Sequence, residues 1–356
     1  MPRISVVMPI YNSRKHLRAA VDSVLAQTFQ DWELLAINEF GSLDGSAEII
    51  MEYSQKDPRI HFIQNTKLLG LAESLNKGIC LAKGEFIARL DADDLAHPKR
   101  FQKQVQFMEQ YPNVIVCGTY QHHFGPETDW IHMPSTDPKQ CRANLLFFCD
   151  LCHSTLMLRK QTLLDYDLFY DSSYLAEDYE LWTRVIEFGD IANIPEVLGK
   201  YRWGQENITQ KKLDSLYEES GTIIANSLKR NLGIVLTDQQ KQMVRNWKNP
   251  VNEIDRDSRG QFFSDLEKLL RTIYEKNKND LFYDENALLN SIAKKWIEVR
   301  YRQPFYTNIQ CSTIDDIFKN RSMYYLWKRI KIFWQCNKGI NRKIKKIHKK
   351  FKEIML

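Results

Sequence analysis

The sequence predicts an α/β fold over residues 1–210, a mostly parallel sheet with helices on both faces. A helical region over 211–325 and a basic tail over 326–356 follow. Three observations carry this. Short apolar runs alternate with segments of helical period from Ile4 to Asp94, the order of a doubly wound sheet with right-handed crossovers. After about residue 210 the texture changes to long polar segments with helical spacing. Finally, the apolar run Phe86 to Leu90, with a single Arg89 inside it, ends directly in Asp91-Ala92-Asp93-Asp94. The crevice beyond the carboxyl ends of the strands is where an open α/β sheet binds its ligands.

In chain order, Ile4 to Met8 reads as the first buried strand. Pro9-Ile10-Tyr11-Asn12-Ser13 breaks it, with Ser13 as the expected N-cap of a helix carrying Leu17, Ala20, Val21, Val24 and Leu25. Trp32 to Glu39 gives a second strand, the loop Gly41 to Ser46 follows, and a helix runs through Ile49, Ile50 and Tyr53. Ile60 to Ile63 is a third strand, leading through a loop at Asn65 to Gly70 into a helix over 71–82. Beyond Asp94, Pro98 opens a helix through Phe101, Val105 and Met108, and Val114 to Thr119 is another strand. Glu177-Asp178-Tyr179-Glu180 opens a helix with Leu181, Trp182, Val185 and Ile186. Ile191 to Tyr201 closes the α/β part, with Pro195 demoting part of it to an edge or a connection. Helices are expected over 213–232, 237–247, 262–274 and 285–299.

Composition narrows the class. With 43% hydrophobic and 27% charged residues, the chain is an ordinary globular protein rather than a disordered or membrane-embedded one. No apolar run approaches the length of a membrane span, and the first residues lack the apolar core of a secretion signal, so the expected location is the cytoplasm. Seven scattered cysteines do not form a disulfide framework, and Cys149-Asp150-Leu151-Cys152-His153 lacks the second ligand pair of a zinc site. The net charge of +5 is uneven: Lys328 to Glu353 holds eleven Lys or Arg against one Glu, leaving the rest of the chain net acidic.

Three acidic sites fall where chemistry is expected: Glu39 after the second strand, Asp91 and Asp93 after the fourth, and Glu177-Asp178 at a helix start. Each alone reads as a loop or helix-cap acid. Crowded carboxylates repel one another unless a cation sits between them, and Mg²⁺ or Mn²⁺ prefers oxygen ligands.

Taken in order, five motifs between Ser5 and Trp182 resemble the family-2 glycosyltransferases, inverting enzymes with the GT-A fold, a Rossmann-like architecture. They are Val6 to Asn12, Gly41 to Gly45, Gly70-Leu71-Ala72 with Leu75 to Gly78, Ile87 to Asp94, and Glu177 to Trp182. The resemblance implies a hexosyl- or N-acetylhexosaminyl-transferase of the bacterial cell-surface glycan type. Its partners would be a nucleotide-sugar donor and a glycan or lipid-linked acceptor, and its cofactor Mn²⁺ or Mg²⁺. Pro9, Tyr11, Asn12, Glu39, Asn76, Asp91 and Ala92 would bind the nucleotide sugar, Glu39 reading its uracil or ribose. Asp93, with Asp91, would hold the metal, Asp178 with Glu177 beside it would be the catalytic base, and His153 and Trp182 would contact the acceptor. The chemistry needs such groups: a cation for the charge on a departing diphosphate, and a carboxylate to take the proton of a poorly nucleophilic hydroxyl. Asp93 and Asp178 should therefore share one pocket. Three departures from the family pattern stand out: Asn38-Glu39-Phe40-Gly41 for the more usual paired acids, Leu68 where an Asn is common, and Gly204 for the histidine of Tyr-Arg-x-His.

In the tail, Ile340, Ile344, Ile347, Phe351 and Ile354 recur at helical spacing among the basic residues. Such a helix can lie on an anionic membrane surface, here the inner face of the plasma membrane, or pack on its own domain. Nucleic acid is not an expected partner, because no binding motif accompanies the charge. Against catalysis stands a glycan- or nucleotide-binding assembly factor on the same scaffold. A nicotinamide dehydrogenase is excluded by Pro9 to Asn12 where a Gly-x-Gly-x-x-Gly turn would stand.

Overall fold

The computed structural model describes residues 1–126, 128–204, 207, 212–245, 258–301 and 313–315. The basic tail expected over 326–356 lies outside them. The elements run β1 (Ile4–Ile10), α1 (Arg14–Leu25), β2 (Trp32–Asn38), α2 (Ser46–Lys56), β3 (Ile60–Gln64), α3 (Leu71–Leu81) and β4 (Phe86–Arg89). Then come β5 (Leu95–Ala96), α4 (Arg100–Gln110), β6 (Val114–Gly125), β7 (Thr128–His132), α5 (Pro138–Asn144), a 3₁₀ turn (His153–Thr155), β8 (Met157–Arg159), α6 (Lys160–Asp165), α7 (Glu177–Val185) and β9 (Asp190–Arg202). Among the described residues four further helices follow: α8 (Leu213–Leu232), α9 (Asp238–Arg245), α10 (Arg259–Asp280) and α11 (Glu285–Tyr301).

The strands form one nine-stranded sheet in the order β3-β2-β1-β4-β8-β6-β9-β5, with β7 paired to β6. The first four are parallel, in register from Ile4 opposite both Trp32 and Phe86. The far half is mixed: β8 runs antiparallel to β4 and β6, β9 is parallel to β6, and β5 is antiparallel to β9. The chain leaves β1 towards β2 and β3, then returns to β4 on the other side of β1. That reversal opens a crevice beyond the carboxyl ends of β1 and β4, and Asp91 to Asp94 lies there. Strands β1 and β2 are buried along nearly their whole length, as expected of strands covered by helices on both faces.

β9 lies between β6 and β5, but β5 pairs with it only at Gly199 and Lys200, so among the described residues the part around Pro195 is paired on its β6 side alone, as an edge is. The register shifts where Ile194 pairs with Thr119 and Val197 with Tyr120, so Pro195 and Glu196 fall in a bulge that absorbs the missing donor. Ser13 does not cap α1 with its side chain; its hydroxyl donates to the Tyr11 carbonyl, and the Arg14 N–H is taken by Asp44 at 2.8 Å.

Two apolar clusters flank the sheet. One holds Ile4, Val6, Trp32 and Phe101 beneath α1, α2 and α4. The other begins with Val7, Ile37 and Leu75 and continues through Trp182 into Ile224, Leu228, Leu266 and Leu288, so helices α8 to α11 share a core with the sheet. Among the described residues no helix is long and apolar enough to cross a membrane.

Candidate active site

The first and second motifs meet as one rim beyond β1 and β2. Asn12 adopts a left-handed backbone (φ +48°), which Asn tolerates better than most residues. Its N–H donates to Ser42 Oγ at 3.0 Å, and its Oδ1 accepts from Leu43 N at 3.1 Å. Ser46 Oγ accepts from Ser13 N at 2.9 Å. Tyr11, 57% exposed, stands free on this rim, while Pro9 is held inside β1 opposite Ile37.

Glu39 is not placed as expected, and Asn76 is tied to the backbone of Tyr170. Glu39 Oε1 accepts from Phe40 N, Leu69 N and Asn65 Nδ2, and Oε2 from Gly70 N and Ser74 Oγ. Burial acts to raise its pKa, but these donors hold it below the ordinary value. The carboxylate has no lone pair left for a base or ribose. It anchors the 65–70 loop instead, including Gly70, whose φ of +81° suits glycine. Asn76 grips the backbone of Tyr170 with both ends of its amide, at 2.8 and 2.9 Å, and so braces the segment ahead of α7.

The Asp-rich loop is the opposite case. Asp91, Asp93 and Asp94 bring carboxylate oxygens within 4.8 Å of one another. Asp91 pairs with the buried Arg89 guanidinium at 2.5 Å. Asp93 is pushed up to about 6 by burial and by the charge of Asp91. Asp94, 1% exposed, is raised well above the carboxylate range by burial and by both neighbours. Its Oδ1 accepts from Arg202 N at 2.8 Å, and its Oδ2 has no hydrogen-bond partner. Ala92 is buried and offers only backbone. Three hard oxygen donors, two of them held against their own ionisation, fit a divalent cation.

Two arginines fix this loop. Arg100 is buried at the start of α4 and donates to the carbonyls of Ser154, Arg89 and Leu156 at 2.8 to 3.0 Å; burial and Arg89 pull its pKa down to about 9. Arg202, at the end of β9, donates through Nε to the Asp93 carbonyl at 3.0 Å. Arg89 was visible in the sequence as a charge inside an apolar run. Arg202 stands in the stretch that resembles Tyr-Arg-x-His, whereas Arg100 carries no such signal, because a basic residue in a helix's first turn reads as surface.

On the other side, α7 presents Glu177 and Asp178. Glu177 is 8% exposed, and burial together with the charge of Asp178 raises it to about 8. Asp178 is raised by burial, opposed by its bond from Tyr179 N at 2.7 Å and by Arg89. The Arg89–Asp91 pair acts electrostatically on Asp93, Glu177 and Asp178 alike, so the two acidic halves lie around a common centre. His153 bridges towards this centre: Nε2 meets Tyr170 Oη at 2.9 Å, and Nδ1 lies 4.0 Å from Asp178 Oδ2. Burial and Arg89 hold its pKa well below the ordinary value, so the ring is neutral. Trp182 is corrected as an acceptor contact: it is 0% exposed, and its indole packs edge-on beneath His153 and Tyr170. Glu219 of α8, which the sequence did not single out, accepts from the N–H groups of Leu175 and Ala176 at 2.6 and 2.9 Å. A carboxylate from the helical region thus holds the entry to α7, whose N-cap residue Ala176 has no side chain to do so.

A nine-stranded mixed sheet with a carboxylate loop at its reversal point defines a GT-A glycosyltransferase fold. Residues 5–166 match the family described as Glycosyl transferase family 2, and the chain belongs to that family. It is 34% identical over 245 residues to the putative glycosyltransferase EpsE of Bacillus subtilis, covering 67% of this chain and 85% of EpsE. It is 30% identical over 231 residues to the O-antigen biosynthesis glycosyltransferase WbnJ of Escherichia coli, covering 64% and 89%. Among solved structures, S. aureus TarS 1–349 in complex with UDP-GlcNAc superposes with a TM-score of 0.57 at 17% identity, covering 86% of this chain and 93% of that one. Mannosyltransferase PcManGT from Pyrobaculum calidifontis, with GDP-Man and Mn²⁺, gives a TM-score of 0.51 at 12% identity, covering 85% and 88%.

Proposed function

We propose that this glycosyltransferase moves a sugar, with inversion, from a nucleotide sugar to a hydroxyl of a cell-surface glycan or its lipid-linked precursor. The donor is a UDP-sugar. The observation that carries the reading is the Asp91, Asp93 and Asp94 cluster, with its donors within 4.8 Å and Asp94 Oδ2 unpartnered, at the reversal point of the sheet. Asp93 with Asp91 would hold Mn²⁺ or Mg²⁺, which when bound neutralises charge on the departing diphosphate. Asp91 already has Arg89 as a partner, so Asp93 is the principal ligand. UDP-GlcNAc bound by TarS and GDP-Man with Mn²⁺ bound by PcManGT support a nucleotide-sugar donor on this fold. WbnJ and the amylovoran biosynthesis glycosyltransferase AmsE of Erwinia amylovora support a surface-glycan acceptor.

On the base side, two adjacent carboxyls with unequal environments divide the work. Glu177 retains its proton near neutrality and can donate a hydrogen bond to an acceptor hydroxyl. Asp178, whose pKa burial also raises, takes the attacking hydroxyl's proton as a better base than a free carboxylate. Displacement from the face opposite the leaving group inverts the sugar carbon. Release of UDP from a panel of UDP-sugars, with and without Mn²⁺, tests the reading, and NMR of the product anomer tests the stereochemistry. Metal-independent release, or a retained anomer, would overturn the corresponding part.

A further inference from the structure

Beyond the carboxylates, the β6–β7 hairpin and the end of β9 carry a row of aromatic rings that the chemistry above does not use. His123 pairs across the hairpin with Trp130 and on its other side with Tyr201. Its ring stacks on Trp130 at 4.1 Å and 29°, and lies 5.0 Å from Tyr201 and 5.7 Å from Trp203. His132 stacks next in line at 5.9 Å. Trp130 and Trp203 are half-buried, so the row keeps ring surface facing outward.

The row leads to the catalytic groups. Gly199 and Tyr201, two residues apart on β9, share one face of the sheet. A Cβ on Gly199 would stand 2.5 Å from the side chain of Thr155, in the 3₁₀ turn that carries His153. Tyr201 itself feels the charges of Asp91, Asp94 and Asp93.

His123 adds a second, independent observation. It is 7% exposed, and neither ring nitrogen has a hydrogen-bond partner among the described residues. Burial, with His132 and His122 nearby, holds its pKa down at about 3, so the ring is neutral and offers one N–H donor and one lone pair. An unsatisfied buried polar group is destabilising, and two on one ring call for a partner that the fold does not supply.

From the stacked rings and the two unpartnered nitrogens, we infer that His123, Trp130, Tyr201 and Trp203 form a saccharide subsite for the acceptor, one sugar ring lying on the aromatic row. A sugar presents C–H faces that pack on aromatic rings and hydroxyls that both donate and accept, which matches a ring platform with one free donor and one free acceptor. The inference rests on the transfer reading for its assignment to the acceptor rather than the donor.

The test uses the full chain and methyl glycosides of glucose, galactose and N-acetylglucosamine at millimolar concentration, read by saturation-transfer NMR. The wild type should bind at least one, and Trp130→Ala should weaken it about tenfold. His123→Phe keeps the ring and removes the nitrogens, so it should weaken the glycoside similarly while raising Tm by about 2 °C or more, because two unsatisfied groups disappear. The affinity for UDP with Mn²⁺ should change less than about twofold in both. No glycoside binding by the wild type, binding by either variant as tight as the wild type's, or a parallel loss of UDP affinity would overturn the subsite. Failure of the transfer reading is distinct: no divalent-dependent UDP release from any UDP-sugar, with glycoside binding intact, leaves the saccharide subsite standing.

Discussion

Glu39 and Asp93 look alike in the sequence, each an acid just beyond a parallel strand, yet the fold gives them opposite surroundings. Glu39 receives five donors and is held below its ordinary pKa. Asp93, also largely buried, faces two other carboxylates and is pushed up to about 6. Burial of an acid is therefore no guide to its use. The donors turned towards it decide whether it is structural or waiting for a ligand.

The largest effect is expected at the other starved acid of the centre. Asp178→Asn should lower transfer by about 10²–10⁴-fold in kcat while UDP-sugar affinity by calorimetry holds; a wild-type rate would remove Asp178 as the base.

The comparison itself can be broken by a matched pair of variants. Glu39→Gln should destabilise the fold by about 1–3 kcal/mol, because a buried acceptor is replaced by an amide that faces the N–H groups of Leu69 and Gly70. Mn²⁺ should raise the Tm of the wild type, and Asp93→Asn should leave the metal-free Tm equal or higher and abolish that rise. Equal destabilisation by the two would show that the environments are not opposed.

Glu219 sharpens it from outside the sheet. Glu219→Ala frees two N–H groups ahead of α7 and should lower kcat about tenfold with little change in donor KM. Glu219→Gln, whose carbonyl can still accept, should recover most of the loss, whereas a general folding defect would show in both kinetic constants.

The last effect is a pH slope. Glu177 has a folded pKa of about 8 against 4.5 for an ordinary Glu, so between these values the folded state binds a proton that the unfolded chain does not. Its contribution to stability is full below pH 4.5 and is lost as pH rises through 8, by at most about 1.4 kcal/mol per pH unit. Urea melts of the metal-free protein from pH 5 to 9 should show this decline, and Glu177→Gln should flatten it. An unchanged slope would mean that Glu177 is ionised throughout.

Much of the fold was legible because its elements are local. Apolar runs of strand length and helical periodicity placed β1 to β4 and α8 within a residue or two, since those patterns depend only on which face is buried. The sheet order beyond β4 was not legible, because β8, β6, β9 and β5 meet through long-range pairing that leaves no periodic mark on the chain.

The acids were legible as types and positions, but not in their environments. Residue order alone determined that Asp91, Asp93, Glu177 and Asp178 would stand at a strand end and a helix start, because strand and helix boundaries are set by neighbouring residues. Only the tertiary structure decided that Glu39 would be consumed as a brace, that Asn76 would be tied to Tyr170, that Trp182 would be sealed under His153, and that Arg89 would sit between the acidic halves. Hydrogen-bond satisfaction and desolvation depend on groups brought together from distant parts of the chain, and these settle which carboxylate remains free to act.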